Sequence, residues 1–127
     1  MARVLIVDQG SRIAAAEQAL SEAGYAVRSV APRLAGDIVD QLENVTVVAY
    51  LMADADDPAA NDAMLETVLL KVVDTGVRGF VYERAGDSPN AHVAHAQLTW
   101  HLSVAELDGD AAFAEAIVAA TNASIGV

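Results

Sequence analysis

The chain has 127 residues, enough for a single domain over residues 1–127 with one buried core. It has no cysteine, which excludes a disulfide framework and a thiolate metal site and suits a cytoplasmic protein. Seven Lys/Arg against eighteen Asp/Glu leave a net charge of −11, with the basic residues scattered, so neither nucleic acid nor an anionic membrane is expected as a partner.

Residues 4–7 (VLIV) form an unbroken aliphatic run, the pattern of a strand covered on both faces and hence of a parallel sheet. Asp8 interrupts the run, so no secretory leader is read there. Gly10 and Ser11 follow, and Ser11 is the predicted N-cap of a helix with Ile13, Ala16, Ala19 and Leu20 on one stripe. Gly24 stops that helix, and residues 25–30 (YAVRSV) alternate as a more exposed strand does. After Pro32, Gly36 and Asp37 open a short helix with Ile38, Val39 and Leu42 on its apolar side. Residues 45–51 (VTVVAYL) are the strongest strand and are predicted to be central. Even extended to Ala53, the run is too short to span a bilayer.

An acidic loop, residues 53–58 (ADADDP), follows at that strand's carboxyl end. Asn61 is predicted to cap a third helix that buries Met64, Val68, Leu69, Val72 and Val73 and is ended by Gly76. Residues 77–82 (VRGFVY) give the fourth strand, residues 91–100 a less regular fourth helix, and residues 102–107 (LSVAEL) a fifth strand. A final helix buries Phe113, Ile117, Val118 and Ala120. Five βα units predict a three-layer α/β/α sandwich around a five-stranded parallel sheet.

In such sheets ligands bind beyond the carboxyl ends of the strands. The candidate ligand-binding residues are therefore Asp8, Gln9, Gly10, Ser11 and Arg12 in the first turn, with Asp54, Glu83 and Arg84 along the same edge. A dinucleotide site places glycines so that the backbone approaches a pyrophosphate at a helix N-terminus. Here only Gly10 is present. Asp8 stands at the first glycine position and Ile13 (or Ala14, if a gap is moved) at the last, which puts a carboxylate toward the phosphates and a bulky side chain between helix and sheet. NAD(P) is disfavoured, and no cofactor is assigned.

His92 and His95 share a helical face that zinc could use, but no third ligand falls in register, so no metal site is assigned; His101 falls at a helix–strand junction. Asp54, Asp56, Asp57, Glu83 and Asp87 are predicted to gather with Asp8 and read as solvated loop acids, with weak Mg²⁺ or Ca²⁺ binding as the sharper alternative. Trp100, beside Leu98 and Leu102, reads as core or subunit interface.

Several segments together resemble the extended and atypical short-chain dehydrogenase/reductase family, an NAD(P)-binding Rossmann-like group. Residues 3–7 (RVLIV) stand where that family has its first strand, Gly36-Asp37 matches a Gly-Asp that opens a helix, and residues 45–51 match the strand before the cofactor-lining loop. Residues 76–82 (GVRGFVY) are similar to the family's Gly-Val-x-x-Phe-Val-Tyr strand, the most specific match. The family's serine is replaced by Glu83-Arg84, and Tyr82 has no lysine after it, because Lys71 is the only lysine. The reductase mechanism needs a tyrosine with a nearby lysine to pass a proton. The resemblance thus carries a fold and no catalytic residue.

One α-β step is missing between Val30 and Gly36, and removing that unit from a Rossmann-type sheet leaves the flavodoxin-like strand order 2-1-3-4-5. Residues 4–8 (VLIVD), Arg12-Ile13 and residues 23–27 (AGYAV) also resemble the first unit of a response-regulator receiver domain. That resemblance implies Mg²⁺ held by an acidic pair after strand one and a phospho-accepting aspartate after strand three. Asp8 and Asp54 fall near those places, Gln9 replaces one acid, and no lysine follows strand five.

The expectation is a non-catalytic Rossmann-like protein that binds a small molecule or a protein partner as a homodimer, pairing through the alanine-rich helices at residues 61–75 and 91–101. The alternatives are a nucleotide-binding enzyme or sensor with its ligand at the strand-one turn, and an atypical receiver using Asp8 and Asp54.

Overall fold

The computed structural model describes residues 2–53, 55–84 and 90–127. Strand and helix alternate: β1 (Arg3–Val7), α1 (Ile13–Glu22), β2 (Ala26–Val30), α2 (Ala35–Val39), β3 (Val47–Tyr50), α3 (Pro58–Val72), β4 (Gly79–Tyr82), α4 (Ala91–Trp100), β5 (Ser103–Glu106) and α5 (Phe113–Ser124). All strand pairs are parallel and the order is β2-β1-β3-β4-β5. This is the predicted three-layer α/β/α sandwich with flavodoxin-like strand order.

Strand side chains alternate between faces, so each strand feeds two apolar layers. Leu5, Val7, Val48, Tyr50, Phe80 and Tyr82 point toward α2, α3 and α4, where Ile38, Leu65, Val68, Leu69, Val72 and Val93 meet them. Val4, Ile6, Val47, Ala49 and Val81 point the other way, against Ala16 and Leu20 of α1 and Ile117 and Ala120 of α5. All four residues of β3 and of β4 are buried, as expected for central strands, while both ends of β5 are exposed at the sheet edge.

Gly79 opens β4 under the last turn of α5. A Cβ there would come within 2.9 Å of the Ser124 carbonyl oxygen and overlap its side chain, so only glycine lets that helix close onto the sheet.

Two predicted caps are corrected. Ser11 is exposed and does not cap α1; the N-cap is Arg12, and the amides before the helix are taken by Asp8. Asn61 lies inside α3, which starts earlier because Pro58 occupies its first turn and the Asp57 carboxylate accepts from Ala60 N at 3.1 Å. The Asn61 carboxamide instead accepts from the Tyr50 hydroxyl at 2.7 Å and donates to the Met52 carbonyl at 3.2 Å, tying α3 to the end of β3. Ile13 does not hold α1 off the sheet. It packs, half-buried, into the layer shared with α5. Among the described residues no helix is long and apolar enough to cross a membrane.

Candidate functional site

The parallel ladder runs one residue past the strands. Leu51 N donates to Val7 O at 2.8 Å, Glu83 N to Tyr50 O at 3.2 Å and Leu107 N to Tyr82 O at 2.9 Å. With Val7 level with Tyr50 and Tyr50 with Tyr82, this sets Asp8, Leu51, Glu83 and Leu107 in one row along the carboxyl edge.

Asp8 is only 2% exposed. Its Oδ2 accepts from Gly10 N at 3.1 Å and from Arg12 N at 3.0 Å, which folds the turn back onto the carboxylate. Gly10 permits this with φ +125°, a backbone conformation that side chains disfavour. The amides that a pyrophosphate would need are thus bonded within the chain.

Arg12 fills the space above the row. Its guanidinium forks onto Glu83, with Nη1 2.6 Å from Oε2 and Nη2 2.7 Å from Oε1. Nη2 also lies 3.4 Å from Asp8 Oδ1 and donates to the Leu51 carbonyl at 3.1 Å. The Phe113 ring at the start of α5 lies 5.3 Å from the guanidinium carbon, within cation–π range. Glu83 Oε1 further accepts from Ala53 N at 3.3 Å. One half-buried cation therefore joins the ends of β1, β3 and β4 to the start of α5. The Glu83 hydrogen bonds, against the cost of burial, raise the Arg12 pKa still further, so the positive charge is permanent.

The other candidates are distributed differently. Gln9 is exposed and reaches Met52 Sδ at 3.7 Å. It borders a cavity of about 300 Å³ shared with Arg33, Met52, Asp56, Asn61 and Met64. Arg84 pairs with Glu106 of β5 at 2.6 Å rather than with the Asp8–Arg12–Glu83 group. Asp54 and Asp87 lie outside the described residues. Asp57 serves α3 as its N-cap, so among the described residues the loop acids gathered around Arg12 are Asp8 and Glu83.

His92 Nε2 faces Asp62 Oδ2 at 2.9 Å and Glu66 Oε2 at 3.6 Å on α3. His95 stacks edge-on against Trp100, and His101 is the left-handed C-cap of α4. Among the described residues no group of three His, Cys, Asp or Glu side chains is arranged to hold a metal ion. Burial pushes the Tyr50 phenol well above the usual tyrosine range, with the Tyr82 and Asp62 charges adding to it, so Tyr50 acts as a neutral donor to Asn61.

Sequence reasoning picked out Arg12 and Glu83 separately but missed their pairing and the part played by Phe113. Arg12 and Asp8 are four apart and could have been paired on paper. Glu83 lies 71 residues further along, and only the sheet brings it into reach.

No family model matches the chain, and no curated protein does. Solved structures do match. A response regulator receiver domain protein (CheY-like) from Methanospirillum hungatei JF-1 has a TM-score of 0.67 at 16% identity over 99% of this chain and 94% of its own. The chemotaxis protein CheY4 of Vibrio cholerae has a TM-score of 0.66 at 17% identity over 98% of both chains. A protein described as a pilus assembly protein (cpaE) from Burkholderia thailandensis E264 has a TM-score of 0.66 at 18% identity over the whole of both chains.

The fold is thus the CheY-like receiver fold, and the resemblance to NAD(P)-binding short-chain dehydrogenase/reductases is corrected. The segments that carried it, residues 3–7, 45–51 and 76–82, are core strands that any doubly covered parallel sheet needs. Gly36 and Asp37 do lie in the first turn of α2, which begins at Ala35, and their local reason is capping: the Asp37 carboxylate accepts from Arg33 N and Leu34 N.

Proposed function

We propose that this chain is a receiver-like module that works by binding a partner and not by phosphoryl transfer. The observation that carries this reading is the Arg12 guanidinium, seated between Asp8, the Leu51 carbonyl and Glu83 where the strand ends converge. A divalent cation needs carboxylate and carbonyl oxygens of this kind. Here they already hold a cation that belongs to the chain. Leu51, buried and level with Asp8, is the first residue after β3 and brings no carboxylate to the row. Gln9 takes the place of the second acid, and the only lysine, Lys71, lies on α3. Partner binding then needs a surface, with a second copy of the chain as the first candidate and a small molecule in the cavity beside Gln9 as the other.

A second reading, an atypical receiver that uses Asp8 and Asp54, is favoured by the fold likeness to the two CheY-like proteins. One experiment decides between them. Thermal unfolding is followed with Mg²⁺ and beryllofluoride, and intact mass is measured after incubation with acetyl phosphate. The expected result is no rise in melting temperature and no phosphoryl adduct. A Mg²⁺-dependent rise that disappears in Asp54→Asn would overturn the proposal in favour of the second reading.

A further inference from the structure

α4 is a surface helix without a formal charge: AHVAHAQLTW contains no Asp, Glu, Lys or Arg, in a chain that is 20% charged. The outward face of such a helix ordinarily carries charge. Here it carries Leu98, 80% exposed, and the neighbouring α3 presents Leu70, 46% exposed. Between the two helices runs a groove of about 160 Å³ lined by Glu66, Leu69, Leu70, His92, His95 and Trp100.

Charge selects the occupant. Asp62 and Glu66 at the groove face His92 and share α3 with Lys71, so this layer draws a basic partner only weakly. The opposite layer would draw one instead, because α1 and α5 carry Glu17, Glu22 and Glu115 and no Lys or Arg. Across α3 and α4 the formal charges are Asp62, Glu66 and Lys71, a net of −1 against −11 for the chain. Two copies of so acidic a molecule approach with less repulsion over α4, where neither brings formal charge, and depletion of charge is the mark of an interface centre.

We propose that the α3–α4 face is the docking surface for a second copy of this chain, arranged two-fold so that Leu70 and Leu98 of each copy cover the groove of the other. This deepens the partner-binding reading above and rests on it. Ten helical residues span about 15 Å, and two adjacent helices are roughly 20 Å wide. That footprint is small beside the ~800 Å² per partner of a standard interface, so the dimer is weak and concentration-dependent.

The absence of cysteine allows a direct test. Leu98→Cys introduces a single thiol, and a short bismaleimide should join two copies through it, whereas Leu34→Cys, on an equally bare leucine (70% exposed) of the loop before α2, should stay monomeric. Sedimentation velocity at rising concentration should show the unmodified chain dimerising and the Leu70→Glu/Leu98→Glu double variant remaining monomeric. Both leucines are solvent-facing, and circular dichroism checks that the variants keep their fold. A monomer at millimolar concentration, a dimer that survives the double substitution, or equal crosslinking through position 34 would overturn the proposal. The beryllofluoride experiment reads a different site, so failure of one idea is distinguishable from failure of the other.

Discussion

At the scale of single residues, Arg12 decides what the carboxyl edge can do. Its planar fork satisfies both Glu83 oxygens and still reaches Asp8 and the Leu51 carbonyl, a geometry that a lysine ammonium cannot reproduce. Removing it leaves the buried Asp8 carboxylate beside Glu83 with no cation between them. We expect Arg12→Ala to lose about 3 kcal/mol in urea unfolding, the usual cost of stripping one partner from a buried pair. Arg12→Lys should recover only part of that loss. Millimolar Mg²⁺ or Ca²⁺ should raise the melting temperature of Arg12→Ala and leave the parent unchanged, because only the variant frees two carboxylates and a carbonyl for a hard cation. An Arg12→Ala protein as stable as its parent would remove this residue from the role assigned to it.

At the scale of elements, β4 explains why one family resemblance misleads. Residues 76–82 match a dehydrogenase/reductase strand, yet the four buried residues of β4 each have a local reason to be there. Gly79 admits Ser124 of α5, Phe80 and Tyr82 fill one layer, and Val81 fills the other. Gly79→Ala should therefore cost about 1–3 kcal/mol by overpacking, read from the urea midpoint. Gly76→Ala, with open space around its position, should be neutral or slightly stabilising. Equal effects at the two glycines would contradict this account. The sheet was legible because short β-branched runs such as residues 4–7 and 45–51 fit a strand covered on both faces. The strand order followed from taking one α-β step, missing between Val30 and Gly36, out of a Rossmann-type sheet. The site was legible only in its members, since Arg12 and Glu83 meet through the register of three strands and Phe113 arrives from the last helix. Helix starts were misread where the cap was not the nearest Ser or Asn: Arg12 stands at the N-cap of α1 without a side-chain cap bond, and Asp57 caps α3.

At the scale of the whole molecule, the net charge of −11 is spread over a small body, and most of the acids described lie in solvent. Self-repulsion of this kind is screened by salt, with a Debye length of about 10 Å at 0.1 M. The melting temperature should therefore rise with sodium chloride from low salt to several hundred millimolar. A fall would mean that attractive pairs such as Arg84–Glu106 outweigh the repulsion. The Arg12 cluster is shielded from this screening by its own burial. A metal ion at the mouth of a sheet can be chelated, exchanged or left out when supply runs short, and each of those events gives a cell a handle on the protein. A guanidinium threaded into the same place by the backbone can be neither lost nor swapped, so the ends of β1, β3 and β4 stay fastened to one another whatever the surroundings contain.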